Sequence, residues 1–393
     1  MLMRITTVPM SLHKLLAGQM RFMAESGFDV VMVSSPGIEW PSIINREGCS
    51  HHIIPISRKI SLLKDLISLF GLVRLMYRLK PDIVHTHTPK AGLLGMLAAK
   101  ITAVPIRMHT IAGLPWMEAH GFMRRLLMWV ERLTASCAHK IYPNSNALLH
   151  YIKSSSLGIP TSKLFVIANG TSNGLDLEHF DRGKITQDQI GQLRLQSGIA
   201  STGKVWLFVG RMATQKGIAE LTTAFLNLKK HHPEDQLWLV GGDDERDGLP
   251  WTLKKEIKDN PSICSWGYQE DVRPFMAAAY ALVFPSYREG FPNVPLQAAA
   301  MGCPLILSDI NGCNEIVSDG ENGLLVEVKN QDALYNAMSS LRNDALVHQK
   351  FSIKSRAILE KRYSNDIVWN AVLHEYRLAM NELQYKKWTY GSR

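Results

Sequence analysis

Short apolar runs rich in valine, isoleucine and leucine recur along the whole chain, and stretches with helical spacing separate them. Residues 4–8, 28–34, 83–87, 106–110, 140–143 and 164–167 read as strands. Residues 12–26 read as a helix, with Leu12, Leu15, Leu16, Met20 and Met23 on one stripe. Repetition of strand, helix, strand demands a parallel sheet covered on both faces, because parallel strands are joined by long crossovers that bury them.

The pattern pauses over residues 181–203, a polar stretch containing Gly183, Gly191, Gly198 and Gly203, which reads as an interdomain linker. It then restarts, with strands at 205–209, 236–240, 263–266, 281–284 and 304–308 and a helix at 218–230. At 393 residues the chain is long for one domain and comfortable for two. The expected architecture is α/β: two Rossmann-like doubly wound domains, 1–185 and 200–364, facing across a cleft. A last helical segment within 365–393 is expected to pack back on the first domain. Open parallel sheets bind ligands at the carboxyl ends of their strands, so polar residues just after strands are the ones to interrogate.

Two such clusters stand out. Gly210, Arg211, Lys216 and Gly217 follow the strand at 205–209. Arginine offers a planar fork and lysine a point charge, and the next helix starts beside them, a combination suited to a diphosphate without a metal. Glu289, Gly290, Phe291, Pro292, Asn293, Val294 and Gln297 follow the strand at 281–284. A helix is expected to begin near Asn293, whose free amides suit negative oxygen, with Glu289 placed to accept sugar hydroxyls. Asp243-Asp244-Glu245 reads as a polar loop rather than a metal site.

Together these motifs, with Gly320-Glu321-Asn322-Gly323-Leu324-Leu325 after them, resemble the family-4 glycosyltransferases of the GT-B fold across essentially the whole chain. The resemblance implies that Arg211 and Lys216 hold a donor pyrophosphate and that Glu289 contacts the donor sugar. It places Gln297 where the family has a second glutamate that binds ribose. Glutamine can still hydrogen-bond ribose hydroxyls but carries no charge. His109 resembles a histidine near the transferred sugar. Asn169-Gly170 resembles the turn leading out of the first domain, and the Gly-Gly pair of many relatives is replaced by Val8-Pro9-Met10-Ser11. His85 and His87 alternate on a strand and are expected to point to opposite faces, which argues against a metal site built on them. The implied activity is retaining transfer of a sugar from a nucleotide diphosphate sugar, by preference UDP-linked, to a glycan or polyprenyl-diphosphate-linked acceptor. No cofactor or metal is expected. Two other readings are a GT-B-like nucleotide-sugar epimerase and a non-catalytic nucleotide-sugar binder; a nicotinamide dehydrogenase is disfavoured because no GxGxxG follows the first strand.

Five cysteines form no CxxC pair, consistent with reduced thiols in a cytoplasmic protein. No signal peptide is read at Met1–Ile5, and no apolar run reaches the roughly 18–20 residues of a membrane span. The formal net charge is +9, with cations gathered at Arg58, Lys59, Lys64, Arg74, Arg78 and Lys80 and again at Arg124, Arg125, Arg132 and Lys140. No aromatic-interleaved nucleic-acid motif accompanies them. The basic, apolar segments 60–80 and 122–140 make the inner membrane surface an expected partner.

Overall fold

The computed structural model describes residues 1–393 apart from Lys59, Glu118, Glu245, Arg246 and 391–393, and the side chains of residues 386–390. The chain divides into two compact units, Met1–Gly174 with Asn365–Arg393, and Leu175–Ser364.

In the first unit, β1 (Leu2–Ile5), α1 (Gln19–Glu25), β2 (Val30–Ser34), α2 (Trp40–Glu47), β3 (Ser50–Ile53), α3 (Leu62–Leu79) and β4 (Ile83–His87) follow in order. Then come α4 (Pro89–Ile101), β5 (Ile106–Ile111), α5 (Gly121–Cys137), β6 (Lys140–Pro143) and α6 (Asn146–Ser154). The second unit runs α7 (Gln187–Ser197), β7 (Val205–Val209), α8 (Ile218–Lys229), β8 (Gln236–Val240), α9 (Trp251–Asp259) and β9 (Ile263–Gly267). It continues through α10 (Arg273–Ala278), β10 (Ala281–Phe284), α11 (Asn293–Ala300), β11 (Leu305–Ser308), α12 (Cys313–Ile316) and β12 (Gly323–Val326). It ends with α13 (Gln331–Asn343) and α14 (Ala345–Arg362), after which α15 (Asn365–Tyr390) belongs to the first unit.

Both sheets are parallel and share one topology. The first runs β3-β2-β1-β4-β5-β6, and the second reads β9-β8-β7-β10-β11-β12. The strand order reverses between β1 and β4, in register Ile5 to Thr86, and between β7 and β10, in register Leu207 to Leu282. Central strands are buried at every position, as Val-Trp-Leu-Phe-Val in β7, because helices cover both faces. In the first unit α15 covers one face: Val368, Val372, Leu373, Tyr376 and Ala379 pack with Leu2, Met32, Ile83 and Met108.

Several expectations differ from the structure. The stretch 12–26 is not one helix: a short turn at Ser11–Leu15 precedes α1, and Leu16–Gly18 break the hydrogen-bonding between them. Residues 164–167 add no strand, and only Leu164 bridges Ile141. The polar stretch 181–203 is structured. It contains α7, whose Thr186–Gln189 capping box satisfies its first amides, and Ile190 and Leu193 pack on the core of the second unit.

Candidate functional site

Where the second sheet reverses, two loops leave β7 and β10 side by side. The first carries Gly210, Arg211 and a tight turn at Thr214–Lys216 before α8. Gly217 joins turn to helix at φ +69°, and a Cβ there would lie 2.2 Å from the Pro285 carbonyl oxygen. Only glycine permits this approach of the two loops. Their backbones also bond directly, the Tyr287 amide donating to the Gln215 carbonyl at 2.9 Å. Side chains brace the junction: Arg288 donates to Gln215 Oε1 at 2.7 and 3.0 Å, and the Tyr287 hydroxyl donates to Glu220 at 2.7 Å.

The two cations are aimed by carboxylates of their own unit. Lys216 Nζ pairs with Glu289, which also accepts a hydrogen bond from the Ser286 hydroxyl at 2.8 Å. These two side chains are 13% and 17% exposed, and the ammonium lies 5.4 Å from the centre of the Phe284 ring. Arg211 is 60% exposed and pairs with Asp244, whose side chain is 6% exposed and also accepts the Asp247 amide at 3.0 Å. The Asp243–Asp244 segment is thus more than a polar loop: Asp244 anchors Arg211, and Asp243 pairs with Lys254 at 2.9 Å. Glu245 lies outside the described residues. The helix expected near Asn293 starts there as α11, with Pro292 preceding it and no side chain capping its amides, Asn293 and Val294 included. Gly290 and Phe291 lead into it, and Gln297 sits half-buried one turn further on. The arrangement offers two cations and an uncapped helix start at the carboxyl edge, a constellation that can take a diphosphate.

The first unit's reversal point has another chemistry. Arg4, fully buried on β1, donates to Gln19 Oε1 at 2.7 Å, to His87 Nε2 at 2.7 Å and to the Tyr376 hydroxyl of α15. A guanidinium only donates, so His87 Nε2 accepts and its proton sits on Nδ1. Arg4 also reaches His85 Nδ1 at 3.4 Å, where the Tyr376 hydroxyl approaches to 2.6 Å, and His85 Nε2 meets the Thr110 hydroxyl at 2.8 Å. The chain therefore runs Arg4 to Tyr376 to His85 to Thr110, with His85 protonated on Nε2. Arg4, Gln19, His85, His87, Asn144 and Thr171 border a cavity of about 10 Å³, the size of one water.

The expectation that His85 and His87 face apart is wrong. Their rings stack with centroids 4.6 Å apart, because residues two apart on a strand share a face. Thr86 between them turns the other way, and its hydroxyl contacts His109 Nδ1 at 2.8 Å. The His109 ring lies over Gly92 of α4, where a Cβ would sit 2.4 Å from Cε1. Burial lowers His109 to about 4 and drives His85 and His87 well below the ordinary imidazole value, with Arg4 pushing the latter two further. All three rings are neutral at pH 7. Among the described residues no group of three or more His, Cys, Asp or Glu side chains is placed to hold a metal.

The polar site of the second sheet, set on a fold of paired doubly wound sheets, defines the class of GT-B transferases. The chain belongs to the group-1, family-4-like glycosyltransferases. The family model "Glycosyl transferases group 1" matches residues 203–344, and the "Glycosyl transferase 4-like domain" matches 14–170. The chain is 31% identical over 374 residues to the capsular polysaccharide biosynthesis glycosyltransferase CapM of Staphylococcus aureus, covering 95% of this chain and 96% of the relative. It is 28% identical over 320 residues to an Escherichia coli UDP-Gal:alpha-D-GlcNAc-diphosphoundecaprenol alpha-1,3-galactosyltransferase, covering 80% and 77%. In fold it is similar to Anabaena HepE, solved in complex with UDP, with TM-score 0.77 at 18% identity, covering 96% of this chain and 99% of that one. Sucrose-phosphate synthase from Thermosynechococcus elongatus superposes with TM-score 0.78 at 20% identity, covering 97% and 99%.

Proposed function

We propose that this glycosyltransferase moves a sugar, with retention, from a UDP-sugar to a polyprenyl-diphosphate-linked glycan in surface polysaccharide assembly. The observation that carries the reading is the pair of carboxylate-aimed cations, Arg211 and Lys216, beside the uncapped start of α11. The donor diphosphate takes the exposed side of this pair and the amides of Asn293 and Val294. Glu289 and the backbone from Gly290 to Pro292 meet the sugar, and Gln297 meets the ribose. In the reaction the bond from the anomeric carbon to the diphosphate oxygen breaks, the acceptor oxygen bonds to that carbon, and the acceptor hydroxyl's proton passes to the departing diphosphate. Negative charge grows on the departing diphosphate, where Arg211 and Lys216 stabilise it in place of a metal. His109, neutral and held by Thr86, is the histidine this reading sets near the transferred sugar.

The acceptor class and the base draw support from relatives. The E. coli protein above is named for UDP-Gal and a diphosphoundecaprenol acceptor. A Campylobacter jejuni relative, 25% identical over 354 residues, is named for a diphospho-undecaprenol acceptor and an alpha-1,3 product. An α product from an α-linked nucleotide sugar is retention.

The test is thermal melting with UDP, GDP, ADP and TDP, followed by a transfer assay with UDP-hexoses and a polyprenyl-diphosphate sugar. UDP at a hundred times its Kd should stabilise by about 2.7 kcal/mol. Stabilisation by UDP alone and acceptor-dependent UDP release support the reading. Sugar interconversion without acceptor supports an epimerase, and binding without turnover a non-catalytic binder; either sinks it.

A further inference from the structure

The outer face of α3 is composed against the rule for a helix facing water. Leu62, Leu63, Leu66, Ile67 and Phe70 are each between 56% and 81% exposed, and Tyr77 is 58% exposed. They do not lack a core to join. The opposite face, with Ser68, Leu72, Leu75 and Met76, is already buried in the first unit. The helix thus carries two apolar faces, and Leu63, Ile67, Phe70, Arg74 and Tyr77 recur on the outer one at helical spacing. Helix α5 repeats the design: Phe122, Arg125, Trp129 and Arg132 fall in one row, with Phe122 79% and Trp129 58% exposed. Exposed apolar rows of this kind mark a docking site.

Charge names the occupant. Every exposed charged side chain on the two helices is a cation: Lys64, Arg74 and Arg78 on α3, and Arg124, Arg125 and Arg132 on α5. The two acids are withdrawn. Asp65 pairs with Lys90 of α4 at 2.6 Å, and Glu131 is buried. Helices α3 and α5 each pack against α4, and all three contribute to one core cluster of the first unit. Each begins after the carboxyl end of a strand, so Leu63 and Phe122 stand toward the edge where parallel sheets bind ligands. Long cationic side chains among exposed leucines and aromatics suit an interface where apolar groups sink between lipid tails and cations meet phosphate. Among the described residues no helix is long and apolar enough to cross a membrane, so contact by these helices is lateral.

We propose that the outer faces of α3 and α5 form one docking surface for an anionic lipid bilayer, presenting the carboxyl edge of the first sheet to a lipid-borne acceptor. This inference rests on the lipid-linked acceptor reading for its purpose, and on the two helices alone for its existence.

The test is co-sedimentation of the full chain with vesicles of phosphatidylethanolamine and phosphatidylglycerol, against phosphatidylcholine vesicles. The expected result is binding to the anionic vesicles that weakens with salt. The variant Leu63→Ser/Ile67→Ser/Phe70→Ser should lose at least tenfold in partition coefficient. Arg74→Glu/Arg78→Glu should lose about fivefold or more per cation. Both variants should keep the wild-type melting temperature and UDP-induced shift, since the changed side chains are exposed. The proposal is overturned if the wild type ignores anionic vesicles, or if the folded triple variant binds them as the wild type does. It is also overturned if light scattering shows a dimer that the triple variant splits while vesicles go unbound, since the surface then takes a second copy. Transfer to a short-chain, water-soluble acceptor separates the two readings. Vesicle binding without any transfer removes the transferase acceptor and leaves the docking surface; transfer without vesicle binding does the reverse.

Discussion

The two sheets share a strand order, yet their reversal points are built from opposite materials. In the second unit, at β7 and β10, the polar groups are ion pairs that reach the surface, Lys216 with Glu289 and Arg211 with Asp244. In the first, at β1 and β4, a single buried guanidinium is bonded to neutral partners, two imidazoles, a glutamine and a tyrosine. Water screens the Arg211 pair, since that guanidinium is 60% exposed, so the pair contributes little to stability and its charge is open to a ligand, whereas Lys216 and Glu289, mostly buried, hold each other more firmly. The first unit's network is dry, so each bond is structurally expensive to remove and the charge is committed to the fold. One topology thus carries charge that reaches the surface in one unit and charge committed to the interior in the other.

The largest effect expected from this contrast is catalytic. Arg211→Ala should lower the transfer rate on the order of 10²–10³-fold, as removal of one preorganised donor does, with only a small change in melting temperature because the guanidinium is 60% exposed. A steady-state assay beside a melting curve checks it, and a stability loss as large as the rate loss would erase the distinction between the units.

Arg4→Ala should do the reverse. Gln19, His85, His87 and Tyr376 would each lose a partner in a dry interior, at a cost on the order of 3 kcal/mol, read as a lower denaturant midpoint. UDP binding by the second unit should survive.

Acid sharpens the comparison. His109 titrates near 4 in the fold and about 6.5 in the unfolded chain, so between these values the unfolded state binds more protons. Its contribution is present above about pH 6.5 and lost as pH falls toward 4. His85 and His87, also lowered, act in the same direction. Glu131, raised by burial to about 7, opposes them, since its protonated form favours the fold. Three imidazoles against one carboxyl predict net acid weakening of the first unit. Melting from pH 7 to 4.5 should show it, and His109→Asn should flatten the slope; an unchanged slope would remove His109 from the cause.

The smallest effect concerns donor affinity. Gln297→Glu should tighten UDP binding a few-fold, because a charged acceptor makes a stronger hydrogen bond to a hydroxyl. Calorimetry with UDP measures it, and weaker binding would show the glutamine donating instead.

Much of this was legible in the residues. The β-branched and apolar runs located the central strands because burial on both faces leaves no room for polar side chains. Edge strand β3, Ser-His-His-Ile and half exposed, carries no such run and was invisible. Helix α7 reads as a linker because its polar, glycine-bearing sequence has few apolar residues, and Ile190 and Leu193 are only partly buried. Arg211, Lys216 and Glu289 could be picked out since short motifs hold both a cation and the glycine that shapes its loop. Asp244 and Arg4 could not. Asp244 gains its meaning from Arg211, 33 residues away, and Arg4 from Tyr376, 372 residues away. Local pattern carries no trace of a partner so distant.

That last separation has a consequence for the order in which the protein is made. The second unit is one continuous stretch, whereas the first recruits α15 from the far end of the chain to cover Leu2, Ile83 and Met108 and to supply Tyr376 to Arg4. On the ribosome, the sheet that emerges first cannot cover this face until α15 has emerged after the whole second unit. The half synthesised second completes its own core before the half synthesised first, and a chain stopped at Ser364 leaves the older half with an open apolar face and, beneath it, a guanidinium without its tyrosine partner.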